Sequence, residues 1–216
     1  MTESDDIRRL LLDAALAHIP FDGWTKKSLD AAGRDLGLPA AVVVGCFPEG
    51  VSGLANFFSA EFDRRMLAEL TGRDLAAMSV RARIVAVVRI RLELLAHHKE
   101  AMRRLATYST MRGRSLAAVR AAAGTVDVIW RTAGDKSTDF NYYTKRGLLA
   151  PVYGATLLYW LSDASEGSEE TWAFLERRLN EVHKLQSMQR RLQGMARRLP
   201  NPPRLLQRVR GHLRSA

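Results

Sequence analysis

The stretch TKKSLDAAGRDLGLPAAVVVGCF, residues 25–47, decides the fold of the N-terminal part of the chain. Thr25 can cap a helix, and the Gly-Leu-Pro turn at 37–39 then leads into a short helix that ends at Phe47. Apolar residues at helical spacing over Ile7–Ile19 predict a further helix in front of them. Two helices joined by a tight glycine turn, with one helix before them, describe a helix-turn-helix module.

The remainder of the chain also predicts helices. Apolar residues recur with helical periodicity, and no alternating strand pattern with hairpin turns is present. We therefore expect an all-α fold of about nine or ten helices. The further helical segments are Leu54–Leu70, Val80–Ala96, Ala101–Met111, Ser115–Trp130, Tyr142–Leu161, Glu169–Leu185 and Met188–Leu199.

The N-terminal module resembles the DNA-binding domain of TetR-family regulators, including the aromatic Phe47 that closes its third helix. A recognition helix must present polar side chains to base edges and phosphates. Here that helix, Ala40–Phe47, offers no donor except Cys46, and residues 1–60 carry a net charge of −3. Because phosphate contacts dominate affinity for DNA, we expect a scaffold and interface module with no nucleic-acid partner.

The positive charge of the chain is concentrated at its C-terminus. The 216 residues contain 33 Lys and Arg against 23 Asp and Glu, a net charge of +10. Residues 184–216 hold nine basic and no acidic groups, so they contribute +9. A basic tail favours any anionic surface, and the pattern of apolar residues must decide which one.

In the tail, an apolar stripe is flanked by arginines. Pro200 and the prolines at 202–203 end the preceding helix, and the apolar residues beyond them share a face about 100° wide. A basic amphipathic helix of this kind is typical of a membrane-surface element, and packing on a partner subunit or a solvated tail are the alternatives. The predicted membrane-docking residues are Arg204, Leu205, Leu206, Arg208, Val209, Arg210, Leu213 and Arg214.

The segment DKSTDFNYYTKR, residues 135–146, concentrates polar, aromatic and basic groups directly before 16 uncharged residues, Gly147–Ser162. Its Ser, Thr and Asp residues can cap the next helix. Arg146 can donate two hydrogen bonds to a phosphate while acyl chains lie along the apolar helix. The alternative is that this apolar helix only packs in the hydrophobic core of the protein.

Segment 135–146, with GLLA at 147–150 and Tyr153, resembles the signature of the ubiquinone-biosynthesis accessory family numbered nine in the Coq series. Residues 14–24 and ETWAFLERR at 170–178 agree with it, and the resemblance spans about residues 5–195. It implies a TetR-like fold that has lost DNA binding. It also implies an apolar pocket for isoprenoid quinone or phospholipid, and docking on the di-iron demethoxyubiquinone hydroxylase.

The resemblance also assigns roles to single residues. Arg146 matches the basic residue that the family uses against a phospholipid headgroup. Tyr142 stands where animal members usually have Trp in the hydroxylase-binding patch, and phenol and indole bury different areas. The implied lipid-binding residues are Arg146, Tyr143, Leu149, Tyr153 and Leu157, and the implied partner-binding residues are Asp139, Asn141, Tyr142 and Tyr143.

Several kinds of chemistry are not supported by the sequence. Cys46 is the only cysteine, which excludes intrachain disulfides and Cys-rich metal sites. No Glu-x-x-His motif of a helical di-iron site, no phosphate-binding glycine loop and no G-x-S-x-G elbow occurs. We expect no catalytic residues, no metal, no cofactor and no enzymatic activity.

The cellular location of the protein is predicted from its N-terminal residues and from the length of its longest apolar stretch. A spanning helix needs about 20 apolar residues, and the opening MTESDD has neither a basic nor an apolar targeting region. The family's mitochondrial targeting segment is missing, and the chain is rich in Arg and Ala. We therefore expect a bacterial, cytoplasmic protein, peripheral on the inner face of the plasma membrane and homodimeric.

Three parts are predicted: a degenerate helix-turn-helix module at 1–60, a helical lipid-binding domain at 61–195 and a membrane-docking tail at 196–216. The favoured hypothesis is a non-catalytic accessory protein that binds a quinone intermediate or phospholipid and presents substrate to the hydroxylase. A TetR-family transcriptional regulator that senses a hydrophobic ligand is the alternative. An enzyme acting on the quinone is the weakest of the three.

Overall fold

The computed structural model describes residues 3–111, 115–134 and 140–198 of the chain. Over these residues the chain forms nine α-helices and no strand, which confirms the expected all-α class. Short 3₁₀ turns precede two of the helices, at Ala96–His98 and Glu166–Ser168. The helices are α1 (Glu3–Asp22), α2 (Lys26–Asp35), α3 (Ala40–Cys46), α4 (Val51–Leu70), α5 (Val80–Leu94), α6 (Lys99–Thr110), α7 (Ser115–Thr132), α8 (Phe140–Ser162) and α9 (Glu169–Arg198).

The N-terminal helices form the expected helix-turn-helix. The hydroxyl of Thr25 accepts a hydrogen bond from the backbone N–H of Ser28 at 3.4 Å and so caps α2. Gly37 turns the chain with a φ of +62°, a conformation that favours glycine. Where α2 meets α3, a Cβ on Gly33 would lie 2.7 Å from Cγ2 of Val43, so the close packing of the two helices requires glycine there.

Trp24 anchors this module on the rest of the bundle. Its side chain is 4% exposed, and its Nε1–H donates to the carbonyl oxygen of Ala101 in α6 at 2.9 Å. Its ring also packs edge-on against Phe58 of α4, with 5.3 Å between ring centroids. Helices α4, α5, α7 and α8 pack together beyond this contact and contribute most of the remaining core.

The expected break between two C-terminal helices does not occur. Residues 169–185 and 188–198 belong to one continuous helix, α9, rather than to two. Residues 186–187 are Gln and Ser, and both are tolerated in the interior of a helix. The prediction was wrong because it took a gap in the apolar pattern for a gap in the helix.

The chain divides into two compact units, residues 1–176 and residues 177–216. The first unit contains α1 to α8 and the beginning of α9. The predicted domain boundaries after residues 60 and 195 stay predictions.

Within the described part of the chain, membrane-spanning character is weak. No single helix there combines the length and the apolar composition that crossing a bilayer requires. Only α3 and α4 taken together pass on length and composition, and these two helices are bent relative to each other by 57°.

Candidate functional site

A cavity of about 230 Å³ lies between α4, α5, α6, α7 and α8; we call it the α4–α8 cavity. Small side chains on α7 and α6 leave this space open, because larger residues at those positions would fill it. Its apolar lining consists of Ala55, Phe58, Met102, Leu105, Ala106, Ala118, Ala121, Ala122, Leu157, Leu158 and Leu161. A mainly apolar cavity with few polar groups is typical of a site for a small hydrophobic molecule.

A buried ion pair joins the cavity to the core. Arg91 of α5 is 3% exposed and donates from Nε to Oδ1 of Asp63 in α4 at 2.7 Å. The hydroxyl of Thr125 in α7 donates to the other carboxylate oxygen at 3.0 Å. The Arg91 guanidinium also lies 5.7 Å from the centre of the Tyr153 ring in α8. Four helices therefore meet at one polar cluster beside an apolar space.

The charge states of this cluster follow from its contacts. Burial lowers the pKa of Arg91. The negative charge of ionised Tyr153, the charge of Asp63 and the Asp63 hydrogen bond together outweigh burial and raise the pKa above its usual value. Burial raises the pKa of Tyr153, and the nearby Arg91 charge reduces that shift without reversing it. At neutral pH Arg91 is therefore a cation and Tyr153 is a neutral hydroxyl that can donate a hydrogen bond.

Four of the five predicted lipid-binding residues, all except Tyr143, fall into three places. Tyr153 and Leu157 line the α4–α8 cavity, as a lipid-binding role requires. Leu149, 2% exposed, belongs to the core and is not part of the lining. Arg146 also lies outside the lining, and its Nε is 2.6 Å from Oδ1 of Asp127 in α7. The lipid-binding role of all these residues stays a prediction.

The predicted partner-binding residues lie at the start of α8. Asn141, Tyr142 and Tyr143 belong to its first turn, and the environment of their side chains lies outside what the structure describes. Asp139 precedes the helix and lies outside the described residues. The same is true of the predicted membrane-docking residues Arg204, Leu205, Leu206, Arg208, Val209, Arg210, Leu213 and Arg214.

The surface of α3 presents small and apolar side chains. Ala40 and Ala41 are exposed, and Val44 is 62% exposed, whereas Val43 is buried against the module. Base readout and phosphate contacts both need polar or cationic donors. The side chains that α3 exposes do not provide them.

Metal-binding chemistry has little support in the described ranges. Across residues 3–111, 115–134 and 140–198, no group of three or more His, Cys, Asp or Glu side chains could hold a metal ion. His98 instead packs edge-on against the ring of Phe62, with 5.5 Å between ring centroids.

The site residues predicted from the sequence do not include Arg91, Asp63 and Thr125, although Arg91 carries a usable signal. It follows Val87 and Val88 by four and three residues, so it lies on the same face of α5 as these two buried valines. A charged residue on the core face of a helix is rarely buried without a partner. That partner could not be identified, because Asp63 is 28 residues away on another helix.

Comparison with known proteins identifies a family. The COQ9 family model matches residues 116–186, which cover α7, α8 and the first part of α9. The ubiquinone biosynthesis protein COQ9 of Drosophila melanogaster is 34% identical over 195 residues, covering 88% of this chain and 60% of the relative. The human protein of the same name is 29% identical over 185 residues, covering 82% and 58%. The chain thus spans about 60% of the length of the curated relatives it matches.

A solved structure confirms the fold. The TetR transcriptional regulator from Nitrosomonas europaea superimposes with a TM-score of 0.68, covering 83% of this chain and 99% of the regulator. The identity is 21%, so this likeness shows the TetR-like fold alone. Family membership rests on the sequence comparisons: with the matching segment 116–186 and the two COQ9 relatives, the chain belongs to the COQ9 family.

Proposed function

We propose that this chain is a non-catalytic, lipid-binding accessory protein of ubiquinone biosynthesis. The relatives from Drosophila melanogaster and Homo sapiens are both named as ubiquinone biosynthesis proteins, which supports the pathway. The observation that carries lipid binding is the α4–α8 cavity, about 230 Å³ in volume and mainly apolar. Its ligand is an isoprenoid quinone intermediate or a phospholipid.

The protein's proposed task is to present this ligand to the di-iron demethoxyubiquinone hydroxylase. Tyr142 and its neighbours in the first turn of α8 form the proposed contact with the hydroxylase. The lining residues Tyr153 and Leu157 follow on the same helix, about three to four turns further along. One helix would therefore connect the ligand with the partner.

The proposed location is the membrane surface. The arginines and apolar residues of 196–216 would dock on anionic lipid at the inner face of a bacterial plasma membrane. The protein would be a peripheral, cytoplasmic homodimer. The relatives from Drosophila and human are mitochondrial proteins, so a bacterial origin stays a prediction.

Partner binding is tested by mixing the full chain with the purified hydroxylase and measuring complex formation by analytical ultracentrifugation. We expect Tyr142→Ala to weaken the complex and Tyr142→Trp, which keeps a large amphipathic ring, to retain it. Phe21→Ala is a matched control, since Phe21 is 83% exposed on α1, at the other end of the sequence. An Ala variant at Tyr142 that binds like the unmodified chain would contradict the proposed contact.

A second candidate is a TetR-family transcriptional regulator that senses a hydrophobic ligand. The TM-score of 0.68 with a TetR regulator and the helix-turn-helix favour it. The apolar surface of α3 and the net charge of −3 over residues 1–60 oppose it. A specific mobility shift at nanomolar protein and about 0.15 M salt would restore this candidate.

A further inference from the structure

The polar cluster beside the α4–α8 cavity contains two hydrogen-bond donors that the protein does not use. Arg91 donates from Nε to Asp63 and makes longer contacts from Nη2, at 3.3–3.5 Å, to Ser59 and Thr125. Among the described residues, neither Nη1 of Arg91 nor Oη of Tyr153 has a hydrogen-bond partner. Both residues are at least 97% buried, and both line the cavity.

Donors on a cavity wall that have no protein partner are available to water or to a ligand. A polar group in a poorly solvated place loses free energy when it stays without a hydrogen bond. Almost all buried polar groups in folded proteins are therefore paired with protein, water or ligand. Two unused donors on the wall of one apolar cavity thus point to an acceptor atom that enters the cavity.

The presence of Asp63 favours an acceptor that carries no negative charge. The Asp63 carboxylate lies 2.7 Å from Arg91 and already balances its positive charge. An anionic headgroup in the cavity would add a second negative charge in a poorly solvated place, and burying an unpaired charge carries a large free-energy cost. A neutral oxygen can accept from Arg91 and Tyr153 without this penalty.

We infer that Arg91 and Tyr153 bind the neutral carbonyl oxygen of an apolar ligand whose head lies inside the α4–α8 cavity. This inference rests on the proposed lipid-binding function and specifies the ligand class for that site: an uncharged carbonyl compound with a hydrocarbon chain. A quinone ring and a lipid ester both offer such an oxygen. Asp63 and Thr125 are positioning residues, because they hold the Arg91 guanidinium in place.

The ion pair also ties α4 to α5, so the test must separate binding from stability. Decylubiquinone and decylbenzene are suitable probes, because they share a ten-carbon chain and a six-membered ring and only the first carries oxygens. We expect the full chain to bind decylubiquinone about tenfold more tightly in isothermal titration calorimetry, which corresponds to about 1.4 kcal/mol. Comparing the binding of methyl decanoate with that of undecane tests whether the carbonyl of a lipid ester increases the affinity in the same way.

Tyr153→Phe is the most informative variant. It removes only Oη, which makes no hydrogen bond within the described protein, so a purely structural Tyr153 predicts unchanged ligand selectivity. We expect the preference for decylubiquinone to fall severalfold while the urea midpoint stays the same or rises. The double variant Arg91→Met/Asp63→Leu removes the ion pair without leaving a buried charge, and we expect it to lower the preference severalfold because only the Tyr153 donor remains. Leu157→Ala is the control, since it should weaken both probes equally.

The possible outcomes distinguish the proposed carbonyl contact from the proposed binding of a lipid in the cavity. If the full chain binds both probes equally, the carbonyl contact is wrong while cavity binding stands. If neither probe binds, cavity binding itself fails, and the contact with it. Should a variant not fold, the carbonyl stretching frequency of bound decylubiquinone still decides: a hydrogen bond lowers it relative to hexane, and an unshifted band overturns the inference.

Discussion

Arg146 and Asp127 form an ion pair between α8 and α7, with Nε of the arginine 2.6 Å from Oδ1 of the aspartate. Asp127 also pairs with Arg131, one turn along its own helix, at 2.8 Å. Two guanidinium groups thus share one carboxylate. Arg146 has a side chain that is 12% exposed, whereas that of Arg131 is 68% exposed, so Arg146 is the better shielded cation.

The first prediction compares these two arginines. We expect Arg146→Ala to weaken binding of dihexanoyl phosphatidylglycerol by about tenfold, because a hydrogen bond to a charged group contributes about 1.5–3 kcal/mol. Arg131→Ala, on the same carboxylate but exposed, should cost far less. Titration calorimetry measures both. Equal losses in the two variants would contradict a specific headgroup role for Arg146.

The second prediction concerns the volume of the α4–α8 cavity. Phenylalanine at Ala106 would place a ring in the lining and displace two or more ligand methylene groups, each worth about 0.8 kcal/mol. We expect Ala106→Phe to weaken decylubiquinone binding by roughly tenfold. Ala68→Phe is the control, since Ala68 is exposed on α4 and not part of the lining. If Ala106→Phe binds normally, the ligand lies elsewhere.

The third prediction concerns pH. Burial raises the pKa of Asp163, but hydrogen bonds from Ser165 and Thr171 outweigh burial and lower the pKa to about 2. The unfolded chain has a pKa of about 3.9 at such a group, so the carboxylate stabilises the fold above pH 4. This stabilisation is lost progressively as the pH falls from about 4 to 2.

We therefore expect Asp163→Asn to lower the free energy of unfolding by about 1–3 kcal/mol at pH 7. The difference from the unmodified chain should be smaller at pH 3, because the aspartate of the unfolded chain is already mostly protonated below its pKa of about 3.9. Urea unfolding at both pH values measures this. Asp30→Asn, in an exposed pair with Lys26, should cost at most about 0.5 kcal/mol. A difference for Asp163→Asn that does not change with pH would refute the role of its charge.

The fourth prediction tests the anchor of the helix-turn-helix module. Trp24→Phe removes the donor to the buried carbonyl of Ala101, so we expect the free energy of unfolding to fall by about 1–3 kcal/mol. Phe21→Ala, at a side chain that is 83% exposed, should change it by less than about 0.5 kcal/mol. Urea unfolding followed by far-UV circular dichroism measures both variants. A Trp24→Phe protein as stable as the unmodified chain would show that the module does not depend on this contact.

Local signals in the sequence predicted most of the fold. The structure contains the cap at Thr25, the turn at Gly37 and the helices α4 to α8 that the apolar periodicity predicted. Each of these features depends on residues within a few positions of each other. The continuity of α9 was not predicted, because a local gap in the apolar pattern was interpreted as the end of a helix. A stretch without apolar residues breaks the periodic pattern, but Gln and Ser at 186–187 are tolerated inside a helix.

The candidate site was predictable in part. The family resemblance implied Tyr153 and Leu157 on the apolar helix behind segment 135–146, and both line the cavity. The Arg91–Asp63 pair depends on the packing of α4 against α5, and its partners are too far apart in sequence for periodicity to connect them. Arg146 was identified as a cation, but its pairing with Asp127, 19 residues earlier, required the structure for the same reason.

The most direct test is native mass spectrometry of the full chain purified from its source cells, with lipid extraction of the same sample. We expect a bound isoprenoid quinone or phospholipid in the unmodified protein and a reduced amount in Ala106→Phe. The same procedure on Ala68→Phe should return the unmodified level. A protein that carries no lipid, and instead co-purifies with DNA fragments, would contradict lipid binding and favour the transcriptional regulator.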